Sequence, residues 1–171
     1  MTITTRPGIA AGTYRIDPEH SSIAFVTKSL FGLETVRGTF RIRDGEIVIA
    51  ADTARSTARA TIEAGSFRTD KPRRDKDVTS KRFLDAARYP TITFTSTGLA
   101  HGPDGWRLTG TLTVRDTTSE VGLVVSEQAP GFLRATARVD RHVAGVTVGR
   151  GLISRYLDLT LDVRAVPSVH E

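Results

Sequence analysis

The chain has 171 residues, a net charge of +5, a quarter of its residues charged, and no cysteine. That length suits one domain with room for a real core or an enclosed cavity. The missing thiols exclude disulfides, thiolate metal sites and thiol catalysis. No stretch approaches the eighteen or so apolar residues of a membrane span, and Met1 to Gly12 lacks a signal-peptide run, so the expected setting is cytoplasmic.

In chain order, a polar knot of Asp17, Pro18, His20 and Ser21 precedes a strand whose apolar residues alternate at Ile23 and Phe25. Phe40 and Ile42 continue the two-residue period, and Asp44-Gly45 before Ile47 and Ile49 carries the signature of a hairpin turn. Ala58, Ala60, Ile62 and Ala64 alternate with Thr57, Arg59, Thr61 and Glu63. The period then breaks between Thr69 and Arg88. Pro72 near a helix start, Asp70 as its N-cap, and Val78, Phe83, Leu84 and Ala87 at helical spacings predict one or two short helices around residues 70–88.

Alternation resumes with Ile92, Phe94 and Ser96, turns at Gly102 to Gly105, and returns through Leu108, Gly110, Leu112 and Val114. Val121, Leu123 and Val125 follow. After Pro130-Gly131 come Leu133, Ala135, Ala137 and Val139, and the last strand sets Leu157, Leu159, Leu161 and Val163 against polar neighbours. Strands with one apolar face belong to an antiparallel sheet with one wet side. The expected fold is all-β: an antiparallel up-and-down β-barrel of about eight strands, with the helical insertion covering one end. A two-sheet sandwich fits the same pattern. Small inward residues (the alanines of two strands, and Gly110) favour the hollow barrel, because a packed sandwich core wants bulk there.

Asp17, His20 and Ser21 have the residue types of a hydrolase triad, but adjacent His20 and Ser21 at a strand start point to opposite faces, and no Gly-x-Ser-x-Gly elbow occurs. Their expected role is structural, as turn chemistry at one end of the barrel, and no catalytic residue is assigned. His20, His101, His142 and His170 lack metal-ligand spacing, so neither a metal nor another cofactor is expected. Gly145 to Gly151 is glycine-rich without a following helix signal and reads as a flexible loop. Arg68 to Arg82 holds seven basic and three acidic residues, nearly the whole charge excess. Only Phe67 and Phe83 flank it, with no stacking platform, so nucleic acid is not an expected partner.

Taken together, these segments resemble the YceI-like family, small lipocalin-like barrels that bind polyisoprenoid lipids. The likeness is carried by Ile16-Asp17-Pro18-Glu19-His20-Ser21, Gly38-Thr39-Phe40, Ser66-Phe67-Arg68-Thr69 and Arg74-Asp75 before Phe83-Leu84-Asp85. Tyr89 to Ser96, Gly110 to Arg115, Arg141 with Gly145-Val146, and the closing strand to Ala165 complete the ordered set. The chain departs from the family at Tyr14, where tryptophan is usual, at Arg141-His142-Val143-Ala144-Gly145, which lacks the family's acid and aromatic, and at Ser154-Arg155-Tyr156.

The resemblance implies a flexible segment at 1–11, a single YceI-like β-barrel domain at 12–166 and a tail at 167–171. It implies a non-enzymatic binder, carrier or store of a polyisoprenoid or isoprenoid quinone. Phe25, Phe40, Ile62, Ile92, Phe94, Leu108, Leu112, Leu123, Ala135, Ala137 and Leu159 would line the tunnel, with a head group near Arg74, Arg141 or His142 at its mouth. Two alternatives stay open: an enzyme with His20 or His142 as acid or base, and a stress-response module docking transiently on an anionic membrane through Arg68 to Arg82. A homodimer is also left open.

Overall fold

The computed structural model describes residues 10–148 and 153–168. Nine strands run in order: β1 (Gly12–Ile16), β2 (Ser22–Ser29), β3 (Glu34–Ile49), β4 (Thr57–Arg68), β5 (Thr91–Gly102), β6 (Gly105–Val114), β7 (Thr117–Ala129), β8 (Phe132–Asp140) and β9 (Tyr156–Pro167). One α-helix, α1 (Pro72–Thr79), interrupts the series between β4 and β5. From β2 onward every strand pairs antiparallel with its successor, and β9 pairs back onto β2, closing an up-and-down barrel. Closure removes the sheet edges that an open sheet would expose.

Short β1 and long β2 form one stave between them. Both pair with β3 on one side and β9 on the other, at successive heights. The polar knot is the break between them. Asp17 accepts from the Glu19 amide at 3.1 Å, and Pro18–His20 forms a single 3-10 turn that steps out of the wall. The ladder continues past the step, because Asp17 N–H donates to Arg164 O and Arg164 N–H donates to the Ser21 hydroxyl, both at 2.9 Å. The segment expected at a barrel end therefore sits partway along the wall.

β3 also differs from expectation. Asp44-Gly45 makes no hairpin; β3 runs straight through it, with register irregularities against β4 around Phe40 and Arg43. A bulge residue shifts the inward parity by one, so Ile42 and Ile47 both face the core although five residues apart. The Ser66 hydroxyl bridges the irregularity, accepting from Arg41 N–H at 2.7 Å and donating to Glu63 O at 2.6 Å.

The helix starts one residue later than expected. Lys71 occupies the N-cap position without a side-chain cap bond, and Asp70 instead pairs with Arg74 at 3.6 Å. What anchors α1 is Asp75, which accepts from both the amide and the hydroxyl of Thr69 at 2.8 and 2.7 Å. Residues Lys81 to Arg88 continue as turns, not a second helix. The glycine-rich loop expected at Gly145 to Gly151 lies partly outside the described residues.

An aromatic cluster anchors the core inside the barrel. Phe25 stacks on Phe67 with centroids 5.1 Å apart, and Phe40 meets both rings at 5.8 and 5.5 Å. Such aromatic clusters combine large apolar burial with specific ring geometry.

Candidate functional site

Two cavities occupy the barrel interior. The first, about 240 Å³, lies under α1 and is walled by Phe25, Phe40, Ile62, Ile92, Leu112 and Leu159, with Val78 and Leu84 from the helical insertion above. The second, about 490 Å³, occupies the opposite half and is walled by Ala58, Ala60, Phe94, Leu108, Leu123, Ala135 and Leu161. The two abut: along β4, β5 and β9 the inward residues Ile62 and Ala60, Ile92 and Phe94, and Leu159 and Leu161 are successive rungs, one for each cavity. Ala137 lines neither. It stands opposite Leu159 in register, and the larger side chain makes the wall there.

The inward alanines do widen the second cavity. Gly110 does not, because the Phe94 ring rests on it: a Cβ at Gly110 would lie 2.6 Å from Phe94 Cε1. The glycine seats a ring instead of leaving a void.

Arg74 and Arg141 both border the first cavity. Arg74 Nη2 donates to Glu34 Oε1 at 2.6 Å, and Lys71 Nζ approaches the same oxygen at 3.3 Å. These donors hold the Glu34 carboxyl below its ordinary range, the Lys71 contact contributing most. The result ties α1 to the start of β3 across the barrel mouth. Arg141 is buried, and its guanidinium donates to the carbonyls of Val146, Val148, Ile153 and Ser154 at 2.6 to 3.0 Å. It gathers the β8–β9 connection around itself. His142 borders neither cavity. Its amide is held by Asp140 Oδ1 at 3.0 Å, and the same carboxylate pairs with Arg155, which is the main reason its pKa is lowered.

Asp17 and His20 meet on the outer surface, and Ser21 stands apart from them. His20 Nδ1 lies 2.7 Å from Asp17 Oδ2, and this contact is the main reason the Asp17 pKa is lowered. No bond joins His20 to Ser21 among the described residues, and the Ser21 hydroxyl is engaged with the Arg164 amide. A nucleophile needs its base within hydrogen-bond reach, and that link is missing here.

Polar groups absent from the sequence expectations reach the second cavity: His101, Ser126 and Glu127 line it, along with Trp106, whose ring meets His101 edge-on at 5.1 Å. The register irregularity between Ser96 and Gly98 turns Leu99 and His101 inward, where strict alternation from Ile92 would point them out. An isolated glycine within a strand was the available signal.

These features define a class: a closed antiparallel barrel enclosing an apolar interior, with a helix strapped over one end. No helix is long and apolar enough to cross a membrane among the described residues, and none of their carboxylates and imidazoles cluster in a way that would hold a metal ion. The chain belongs to the YceI family, since the YceI-like domain matches residues 14–165. It is 33% identical over 174 residues to the UPF0312 protein YE1254 of Yersinia enterocolitica, covering 95% of this chain and 90% of that one. It is 28% identical over 178 residues to Protein YceI of Salmonella arizonae, covering 97% and 92%. Among solved structures, Burkholderia cenocepacia BcnA superposes with a TM-score of 0.74 at 21% identity, covering 86% of this chain and 98% of that one. Campylobacter jejuni YCEI protein gives 0.54 at 22% identity, covering 75% and 84%. At these identities the structural likenesses establish the fold.

Proposed function

We propose that this protein binds a long apolar lipid of polyisoprenoid or isoprenoid-quinone type inside the barrel, and carries or stores it without chemical change. The observation that carries this reading is the pair of abutting apolar cavities, about 240 and 490 Å³. Folded interiors ordinarily hold few voids larger than a water molecule, whereas ligand pockets run from about 300 to 1,000 Å³. An apolar chain offers nothing to recognise except its surface, so affinity comes from burial, at about 0.8 kcal/mol per methylene removed from water. A hydrogen-bonding head group would find Arg74 at the α1 end or His101 and Ser126 at the other. His20 and His142 both lie outside the cavity walls, which counts against either as an acid or base acting on a molecule held in the barrel.

The test is organic extraction of the purified full-length protein followed by mass spectrometry, with uptake of prenyl lipids and quinones measured on the delipidated protein. Recovery of a stoichiometric prenyl lipid supports the proposal. A protein that is empty as purified and takes up neither class overturns it.

A further inference from the structure

Six large apolar side chains are prominently exposed among the described residues, and three of them belong to one four-residue turn: Leu30 is 48% exposed, Phe31 77% and Leu33 89%. This is the four-residue connection between β2 and β3, held by Gly32 N–H donating to Ser29 O and Leu33 N–H donating to Leu30 O, both at 3.1 Å. Leu30 and Phe31 sit at φ of 51° and 57°, the left-handed region that suits asparagine and glycine and strains bulky residues. Phe31 in particular returns little burial to the fold. Backbone strain of this kind clusters at binding and switch regions.

The turn stands at the α1 end of the barrel. Ser29 at its base and Ile153, which bridges to Ser29, both border the first cavity. Glu34, just beyond Leu33, carries the ion pairs to Lys71 and Arg74 of the helical strap. Cationic groups lie on the elements that carry the turn. Lys28 and Arg37 project from the same two strands, and Arg73 from the strap; none has a carboxylate partner among the described residues.

We propose that the Leu30–Leu33 turn docks the protein on an anionic lipid bilayer, with Leu30, Phe31 and Leu33 entering the acyl boundary while Lys28, Arg37 and Arg73 meet the headgroup phosphates. An apolar tip with cations on the adjoining strands and strap matches a fluid anionic interface. A stable protein interface buries about 1,600 Å² in total, more than three side chains on a turn can supply. Docking in this orientation brings the mouth of the first cavity against the bilayer. The surface is separate from the cavities, so vesicle binding is readable whether or not the barrel takes a lipid.

The experiment is co-sedimentation of the full chain with sucrose-loaded vesicles of phosphatidylcholine alone or with 30 mol% phosphatidylglycerol, at low and high salt, alongside analytical ultracentrifugation. The wild type should bind the anionic vesicles at least about tenfold more tightly than the neutral ones and lose this advantage at high salt. Phe31→Glu with Leu33→Glu should weaken anionic-vesicle binding by at least about tenfold. Phe132→Glu, which alters an exposed aromatic at the start of β8, should leave it unchanged. A second variant, Arg73→Glu, keeps the test alive if the apolar replacements unfold the chain, and should lower binding to anionic vesicles alone. The proposal is overturned if the wild type ignores anionic vesicles at low salt. It is equally overturned if the folded double variant binds like wild type, or if the turn mutations only dissociate a dimer without affecting vesicle binding.

Discussion

Phe25 lies directly across from Gly38 in the β2–β3 register, and its ring occupies the space a side chain at Gly38 would need. A Cβ there would lie 2.4 Å from Phe25 Cζ and 2.5 Å from the Arg68 carbonyl oxygen. Neither neighbour can yield easily, since one is a fully buried ring and the other is backbone. Gly38→Ala should therefore destabilise the fold by about 1–3 kcal/mol through overpacking, lowering the thermal midpoint by roughly 3–10 °C. Gly122→Ala, with nothing within 4 Å of its added Cβ, is the control and should stay within about 0.5 kcal/mol of wild type. Equal midpoints for the two variants would contradict the ring-on-glycine packing.

Gly38 also marks the limit of what the sequence discloses. Alternation identifies the long strands apart from β3, which it splits at Asp44-Gly45, because one face must be apolar to fill the barrel and the other polar to meet water. A glycine inside such a strand is ambiguous. At Gly38 and Gly110 it seats a phenylalanine; beside Asp44 and at Gly98 it accompanies a register shift that reverses which residues face inward. That reversal brings His101 to the second cavity, and alternation alone hides it. Arg141 is illegible for a different reason. Its partners are backbone carbonyls, which carry no residue identity, so a buried loop organiser reads the same as a solvent-facing cation at a binding mouth.

The second cavity can be filled from its wall. Ala135 is buried and borders it from β8. Ala135→Trp should place the indole in the 490 Å³ void, so that a folded variant loses lipid uptake by at least about tenfold while its circular dichroism spectrum stays native. Fluorescence titration with a prenyl lipid or quinone reads the loss. Undiminished uptake by a folded variant would remove this half of the barrel from the binding site.

Arg141→Met tests the organiser role against a head-group role. The replacement leaves the carbonyls of Val146, Val148, Ile153 and Ser154 without their donor. A buried acceptor left unsatisfied costs about 1–3 kcal/mol, so a loss of at least about 2 kcal/mol is expected in denaturant unfolding, with faster amide exchange across residues 141–148. A head-group contact alone predicts lower lipid affinity at unchanged stability.

The strained turn carries a stability prediction of its own. Leu30→Asn with Phe31→Gly installs residues that tolerate the positive φ both positions hold. Stability should rise by about 0.5–2 kcal/mol, visible as a higher thermal midpoint, while binding to anionic vesicles declines. A midpoint that falls instead would mean that Leu30 and Phe31 make stabilising contacts in the folded protein.

The strap over the first cavity should be sensitive to acid. Lys71 and Arg74 hold the Glu34 carboxyl below its ordinary value of 4.5, so Glu34 binds protons less readily in the folded chain than in the unfolded one. The ion pairs accordingly stabilise the fold in full above pH 4.5, and the contribution disappears as pH falls through the lower folded value. Wild type should be more stable than Glu34→Gln at neutral pH, and the two should converge on acidification through and below pH 4.5. Over the same interval the protection of the Pro72–Thr79 amides, corrected for the intrinsic pH dependence of exchange, should fall in wild type and not in Glu34→Gln, since Glu34 is what ties this helix to β3. Asp17, Asp140 and Asp158, each lowered by its own partner, titrate in both proteins and cancel from the comparison. A wild-type advantage that persists undiminished into strong acid would show that Glu34 stabilises the strap by something other than its charge.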